Sequence, residues 1–194
     1  MGLMGGFSEQ KPIARLMAFI DGGYLRENFT KKVNSDIDYG KLENILTDTF
    51  NANCRGMYRG DLIRTYYYDA EVDVSHPKYT EQNDYHNQIK SHGIQVVLAR
   101  LKPTGNNGMG NLKQKGVDVR LAVDMITKAN QNHYDYAILL AGDDDFLDVV
   151  KAVKDDTGKR VMGLFFDDAI SHDLKDEYDI PYSIINFMNS LKVA

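Results

Sequence analysis

Apolar and polar residues follow one another along the chain in short blocks of two kinds. Compact apolar runs of strand length occupy positions 16–20, 62–68, 94–101, 136–141 and 161–166. Between these runs, apolar residues recur every three or four positions, as in amphipathic helices, most clearly over 117–130 and 145–154 and more briefly over 42–50 and 85–89. Ile184, Ile185 and Phe187 are predicted to add a last edge element.

Strands that alternate with helices favour an α/β fold. Parallel neighbouring strands need crossover connections, and helices in those connections cover both faces of the sheet. The pattern therefore predicts a three-layer α/β/α architecture with a mainly parallel sheet of about five strands. We expect a flexible N-terminal tail over residues 1–14 and a single domain over 15–194, because no linker or internal repeat interrupts the second range.

Composition narrows the class of protein. The 194 residues include 23 Lys and Arg against 28 Asp and Glu, a net charge of −5, which excludes a strongly basic protein that coats nucleic acid. The single cysteine, Cys54, excludes an internal disulfide and zinc sites built from several cysteines. No apolar run approaches the roughly 20 residues that span a bilayer, and residues 1–11 lack a signal-peptide pattern. We therefore expect a cytoplasmic protein without membrane contact.

Acidic residues follow two of the predicted strands. Asp21 comes directly after the run at 16–20, and Asp143, Asp144 and Asp145 follow the run at 136–141. Ligands of parallel sheets bind at the carboxyl ends of the strands. One aspartate would suffice to cap the next helix, but three in succession repel one another unless a cation joins them. The pattern favours a metal site over capping alone.

Asp118 is the next candidate. On a helical projection it falls within the apolar arc of residues 117–130, where an unpaired carboxylate is costly. A crossover helix runs antiparallel to the strands, so its first turn lies at the same edge as Asp21 and Asp143. The alternative is a buried ion pair. Asp124, at the flank of the arc, is predicted to be structural and to pair with Lys128 or Arg120.

A glycine-rich loop precedes this helix. Its Gly105 to Gly110 spacing is that of a phosphate-binding loop, but Asn111 and Leu112 stand where such loops carry Lys and Ser or Thr. We interpret it as a lid whose Lys113 and Lys115 reach phosphates, the alternative being a surface loop without a function. The five histidines show no metal-ligand spacing and are interpreted as surface residues.

Three segments together resemble a known family. They are Phe19 to Leu25, Lys115 to Leu121 with Asp124 and Met125, and Ala141 to Phe146, and they are similar to the signatures of the NYN domain, specifically its LabA-like branch in the PIN-like nuclease superfamily. The resemblance implies a sheet of order 3-2-1-4-5 and a ribonuclease site. Its metal ligands would be Asp21, Asp118 and Asp143, and its catalytic residues those three with Asp145.

The resemblance implies a divalent-metal-dependent endoribonuclease. Mg²⁺ or Mn²⁺ would be the cofactor, because oxygen ligands suit these hard cations. Single-stranded RNA would be the substrate, and its backbone would be bound by Lys113, Lys115 and Arg120.

Two alternatives remain open at this stage. Tyr24 and Ala141 stand where many relatives carry Asn and Ser, which leaves room for a non-catalytic RNA-binding or regulatory module. A DNA-directed nuclease of the same superfamily is the other alternative. The sequence also leaves open whether the protein is a homodimer.

Overall fold

The computed structural model describes residues 10–100 and 116–193. The strands described are β1 Ile13–Asp21, β2 Arg59–Glu71, β3 Gln95–Arg100, β4 Tyr136–Leu140, β5 Arg160–Phe165 and β6 Ile180–Ser183. The helices are α1 Gly22–Val33, α2 Tyr39–Asn53, α3 Tyr79–Ser91, α4 Val117–Asn130, α5 Leu147–Thr157 and α6 His172–Glu177. Because β1 begins at Ile13, residues 13 and 14 belong to the sheet rather than to the predicted tail.

The strands form one sheet in the order β3-β2-β1-β4-β5-β6, and each neighbouring pair is parallel. This confirms the α/β class and the predicted order, to which β6 adds an edge strand. The edge element predicted from Ile184, Ile185 and Phe187 is wrong. Ile184 and Phe187 are both buried, and their spacing of three fits the 3-10 turn that begins at Ile184.

The central strand β1 is buried on both faces. Leu16, Ala18 and Ile20 pack in a core with residues of α1, α2 and α3, whereas Met17 and Phe19 pack in a second core with residues of α4, α5 and α6. Apolar residues therefore fill consecutive positions of β1, as expected for a parallel strand covered on both sides. In the described ranges, no helix is long and apolar enough to cross a membrane.

Candidate carboxylate site at the sheet edge

Asp21 ends the central strand and begins the first helix. It is the last residue of β1 and the N-cap of α1, and its Oδ1 accepts a hydrogen bond from the Tyr24 amide at 2.9 Å. That bond satisfies one of the amides that the first turn of a helix leaves unpaired. It also fixes the orientation of the carboxylate, whose second oxygen is left for other contacts.

Asp143 lies at the carboxyl end of the neighbouring strand β4. It caps a 3-10 turn over Asp144–Phe146, where its Oδ1 accepts from the Asp145 amide at 3.3 Å. The preceding Gly142 is buried and has no room for a side chain, because a Cβ there would lie 2.0 Å from the Ala169 carbonyl oxygen. The chain therefore needs glycine just before Asp143.

Tyr24 packs against this glycine. A Cβ on Gly142 would lie 2.4 Å from Cε2 of the Tyr24 ring, and the Tyr24 hydroxyl accepts a hydrogen bond from the Phe166 amide at 2.9 Å. The ring also packs edge-on against Phe166, with centroids 5.6 Å apart. Tyr24, one of the two residues noted above as departures, is thus a brace between α1 and the chain just after β5.

Asp118 lies in the first turn of α4 and is half-buried. It lines a cavity of about 440 Å³ together with Asp144, Asp145 and Asp148, and the lining also includes Phe146. Asp145 is exposed, and Asp144 accepts a hydrogen bond from the Ser171 hydroxyl at 2.5 Å. The lining of the cavity therefore combines acidic with apolar side chains.

The carboxylates act on one another electrostatically. Burial raises the pKa of Asp21 to about 6, and the charges of Asp118 and Asp69 add to the increase. The hydrogen bond from the Tyr24 amide acts in the opposite direction. Burial also raises the pKa of Asp118, and here the charges of Asp143 and Asp145 contribute. Asp21, Asp118, Asp143 and Asp145 thus share one negative field at the edge of the sheet.

Positive partners for this field are missing from the described part of the chain. None of the salt bridges formed between described residues involves Asp21, Asp118, Asp143 or Asp145. Within residues 10–100 and 116–193, no group of three or more His, Cys, Asp or Glu side chains is arranged to hold one metal ion. The charges of these acids act on one another, but the acids do not form a closed ligand group in the described ranges.

The other predicted residues have different surroundings. Lys113 and Lys115 lie outside the described residues. Arg120 is exposed on α4, and its charge acts on the Tyr68 hydroxyl. Asp124 accepts from that hydroxyl at 2.9 Å and forms an ion pair with Lys128 at 3.3 Å, which confirms its predicted pairing.

A buried charged cluster that the sequence does not predict lies beside Asp21. Asp69, 1% exposed, is bound by Arg26 at 2.7 Å and by Nε2 of His86 at 3.0 Å. The expectation that all five histidines lie on the surface is wrong for His86, whose side chain is 2% exposed. Burial alone would raise the pKa of Asp69, but the bonds from His86 and Arg26 hold it below its usual value. The available signal was an acid directly after the apolar run predicted at 62–68.

Replacing Asp21 by Asn should change how stability depends on pH. A carboxyl whose pKa is raised from 3.8 to about 6 binds its proton more tightly in the folded state. Its contribution to stability is therefore full below pH 4 and is lost as the pH rises to about 6, by roughly 2 kcal/mol. Asparagine keeps the capping oxygen but cannot ionise.

Thermal unfolding in EDTA between pH 4 and 7 measures this effect. Asp21→Asn should gain stability relative to the wild type as the pH rises through this window. A constant difference between the two proteins would contradict the raised pKa. Asp36→Asn, an exposed position away from the site, serves as the control.

Comparisons with known proteins agree with this architecture. The NYN domain family model matches residues 15–185. No curated protein sequence matches the chain. Among solved structures, the crystal structure of a protein of unknown function from Vibrio parahaemolyticus superposes with a TM-score of 0.64 at 19% identity, and the match covers 92% of this chain and 96% of that one. At this identity the likeness shows the fold alone. The family match covers most of the sequence, and the chain therefore belongs to the NYN domain family.

Proposed function

We propose that this protein is a divalent-metal-dependent endoribonuclease that cleaves single-stranded RNA at the edge of its sheet. The observation that carries the proposal is the shared negative field of Asp21, Asp118, Asp143 and Asp145, which has no cationic partner among the described salt bridges. Membership of the NYN family, a branch of the PIN-like nuclease superfamily, supports a nucleic acid as the substrate.

The donor set fits Mg²⁺ or Mn²⁺. Its members are carboxylates, and hard divalent cations prefer oxygen ligands. Asp21, Asp118 and Asp143 would hold the ion, and their side chains would have to close on it, since no closed ligand group exists among the described residues. When bound, such an ion activates water and offsets the charge that develops on the phosphate.

The protein groups would position and exchange protons around the phosphate. The Tyr24 amide holds the Asp21 carboxylate, and the Asp145 amide holds Asp143, so both acids are oriented before substrate arrives. Asp118 has a raised pKa and lines the open cavity, which suits a residue that orients water and accepts its proton. Asp145, which is exposed, would act from the same cavity as Asp118.

Binding of the RNA backbone requires positive charge near the acids of the proposed site. We assign that role to Lys113, Lys115 and Arg120, of which Arg120 is exposed on the same helix as Asp118. Contacts of this kind bind phosphate without reading sequence, and they make affinity fall with added salt.

The direct test is cleavage of matched RNA and DNA oligonucleotides in Mg²⁺, in Mn²⁺ and in EDTA. We expect cleavage of unstructured RNA that depends on the divalent ion. Cleavage of DNA alone would point to a DNA-directed nuclease. Binding of RNA without cleavage in either metal would favour the non-catalytic module and overturn the proposal.

Millimolar Mn²⁺ should raise the melting temperature of the protein. An ion that binds only the folded state stabilises it by mass action, and here it also offsets repulsion between the acids. The increase should be several degrees for the wild type and much smaller for Asp143→Asn. A buffer that contains no divalent ion but has the same ionic strength controls for the screening of these charges. An equal increase in both proteins would place the metal elsewhere.

A further inference from the structure

A second pocket lies on the face of the sheet opposite the Asp118 cavity. It has a volume of about 610 Å³ and is lined by residues of α1, α3 and the connection that follows α1. Its lining includes Tyr85 and Gln88 of α3 and Lys78 just before that helix, together with Arg26 of α1 and Tyr39 of α2. A pocket of this size accommodates one nucleotide.

The position of the Arg26 side chain is fixed by a buried hydrogen-bond partner. Its Nη1 donates to Oδ2 of the buried Asp69 at 2.7 Å, and Nε2 of the buried His86 contacts the same oxygen at 3.0 Å. The Arg26 side chain is nevertheless 41% exposed, and it lines the pocket. Its Cζ lies 5.6 Å from the centre of the Tyr85 ring. The pocket therefore offers a fixed planar cation beside an aromatic ring.

The pocket is connected to the carboxylate site through tyrosine hydroxyls. The Tyr85 hydroxyl lies 3.1 Å from that of Tyr67, which donates to the Gly22 carbonyl at 3.2 Å. Gly22 directly follows Asp21 in the chain. Tyr85 is thus linked through hydrogen bonds to the backbone next to Asp21, one of the proposed catalytic acids.

The charges of the pocket favour an uncharged group over a phosphate. Asp69 offsets the charge of Arg26, and Lys78 shares the pocket with two acids, Asp36 and Glu81. Guanidinium planes and aromatic rings stack unpaired bases, and an amide such as Gln88 can bond to a base edge. A nucleobase meets all of these groups without an excess of positive charge.

We propose that the Arg26–Tyr85 pocket binds an unpaired nucleobase of the RNA substrate near the bond that is cut. This inference rests on the proposed function, because it assigns a second subsite to the same RNA strand. It extends that function by making substrate choice depend on an unpaired base, on the face of the sheet opposite Asp118.

Binding of a labelled single-stranded RNA tests the inference. Measurements in Mg²⁺ would use the Asp118→Asn background, in which we expect cleavage to be at least 100-fold slower. Adding Tyr85→Leu should weaken binding about tenfold, and adding Gln88→Ala should weaken it several-fold. Neither change should alter the salt dependence, because a base contact releases no counterions. Tyr85→Phe, which keeps the ring, and Asn87→Ala, an exposed neighbour outside the pocket, are the matched controls.

A second measurement separates a base contact from a structural effect. One abasic nucleotide is moved stepwise along the RNA, and the background protein should lose affinity at a particular position. The Tyr85→Leu protein should show no loss at that position. Unchanged affinity in both pocket variants, or a flatter salt dependence, would overturn the nucleobase assignment while leaving the proposed function standing. Failure of the wild type to bind RNA at all would overturn the proposed function as well.

Discussion

Asp118→Asn is expected to lower metal-dependent RNA cleavage at least 100-fold while leaving the fold intact. The substitution preserves shape but removes one of the charges that would hold the metal and accept a proton. Since burial and the neighbouring Asp143 and Asp145 already disfavour the ionised form of Asp118, neutralising it should make the metal-free protein as stable as the wild type or more stable. Cleavage rates and thermal unfolding in EDTA measure the two effects.

Asp124→Asn is the matched control on the same helix. Asp124 accepts a hydrogen bond from Tyr68 and pairs with Lys128, so its loss of charge should cost about 1 kcal/mol of stability. Asp124 belongs to no part of the proposed site. The cleavage rate should therefore change by a factor of about three at most, well below the tenfold change that corresponds to about 1.4 kcal/mol. Equal losses of activity in the two variants would contradict the separation between structural and catalytic acids on α4.

Arg26→Met is expected to have the largest effect on stability, a loss of about 3 kcal/mol. It leaves the Asp69 carboxylate, only 1% exposed, without its guanidinium partner, and an uncompensated buried charge is strongly destabilising. Methionine fills much of the space of the arginine stem, so the loss should come from charge more than from packing. Urea unfolding at pH 7 measures the change.

The double variant Arg26→Met with Asp69→Asn tests that cause. Removing the second charge leaves a polar group that His86 can still contact, so the double variant should recover about half of the lost stability. A double variant as unstable as the single one would show that the buried charge is not the reason.

The pH dependence gives an independent measure of the same pair. In the wild type the pKa of Asp69 is held below its usual 3.8, so its contribution is fully present above that pH and is lost as the pH falls through the lower folded value. Without Arg26, burial should instead raise the pKa of Asp69. The Arg26→Met protein should then lose less stability than the wild type on acidification from pH 6 to 4.

Much of the fold follows from local patterns in the sequence. The helical spacing over 117–130 predicts α4 with the bounds that the structure gives, because its apolar arc is continuous. Helix α1 was not predicted, since its buried positions are limited to Gly22, Leu25 and Phe29. Helix α6 has six residues, which is too short for a periodic signal.

The sequence predicts the residues of the candidate site only where a local pattern, a strand end or a helical phase, determines their position. Asp21 and Asp143 follow strands, and the helical phase places Asp118 toward the core. The Arg26–Asp69–His86 cluster joins side chains 43 and 17 positions apart, and no spacing rule links such residues. Their contact depends on how α1 and α3 pack over β2, which is a property of the tertiary structure.

The brace formed by Tyr24 restricts how the site can be redesigned. Restoring the asparagine of the family pattern at position 24 would offer a new amide near Asp21, but it would also empty the space against Gly142 and free the Phe166 amide. A single substitution would therefore add an amide near Asp21 but leave a void against Gly142 and an unpaired amide at Phe166. Transplanting the family's residue into this chain calls for compensating changes along the end of β5, made together with the change at position 24.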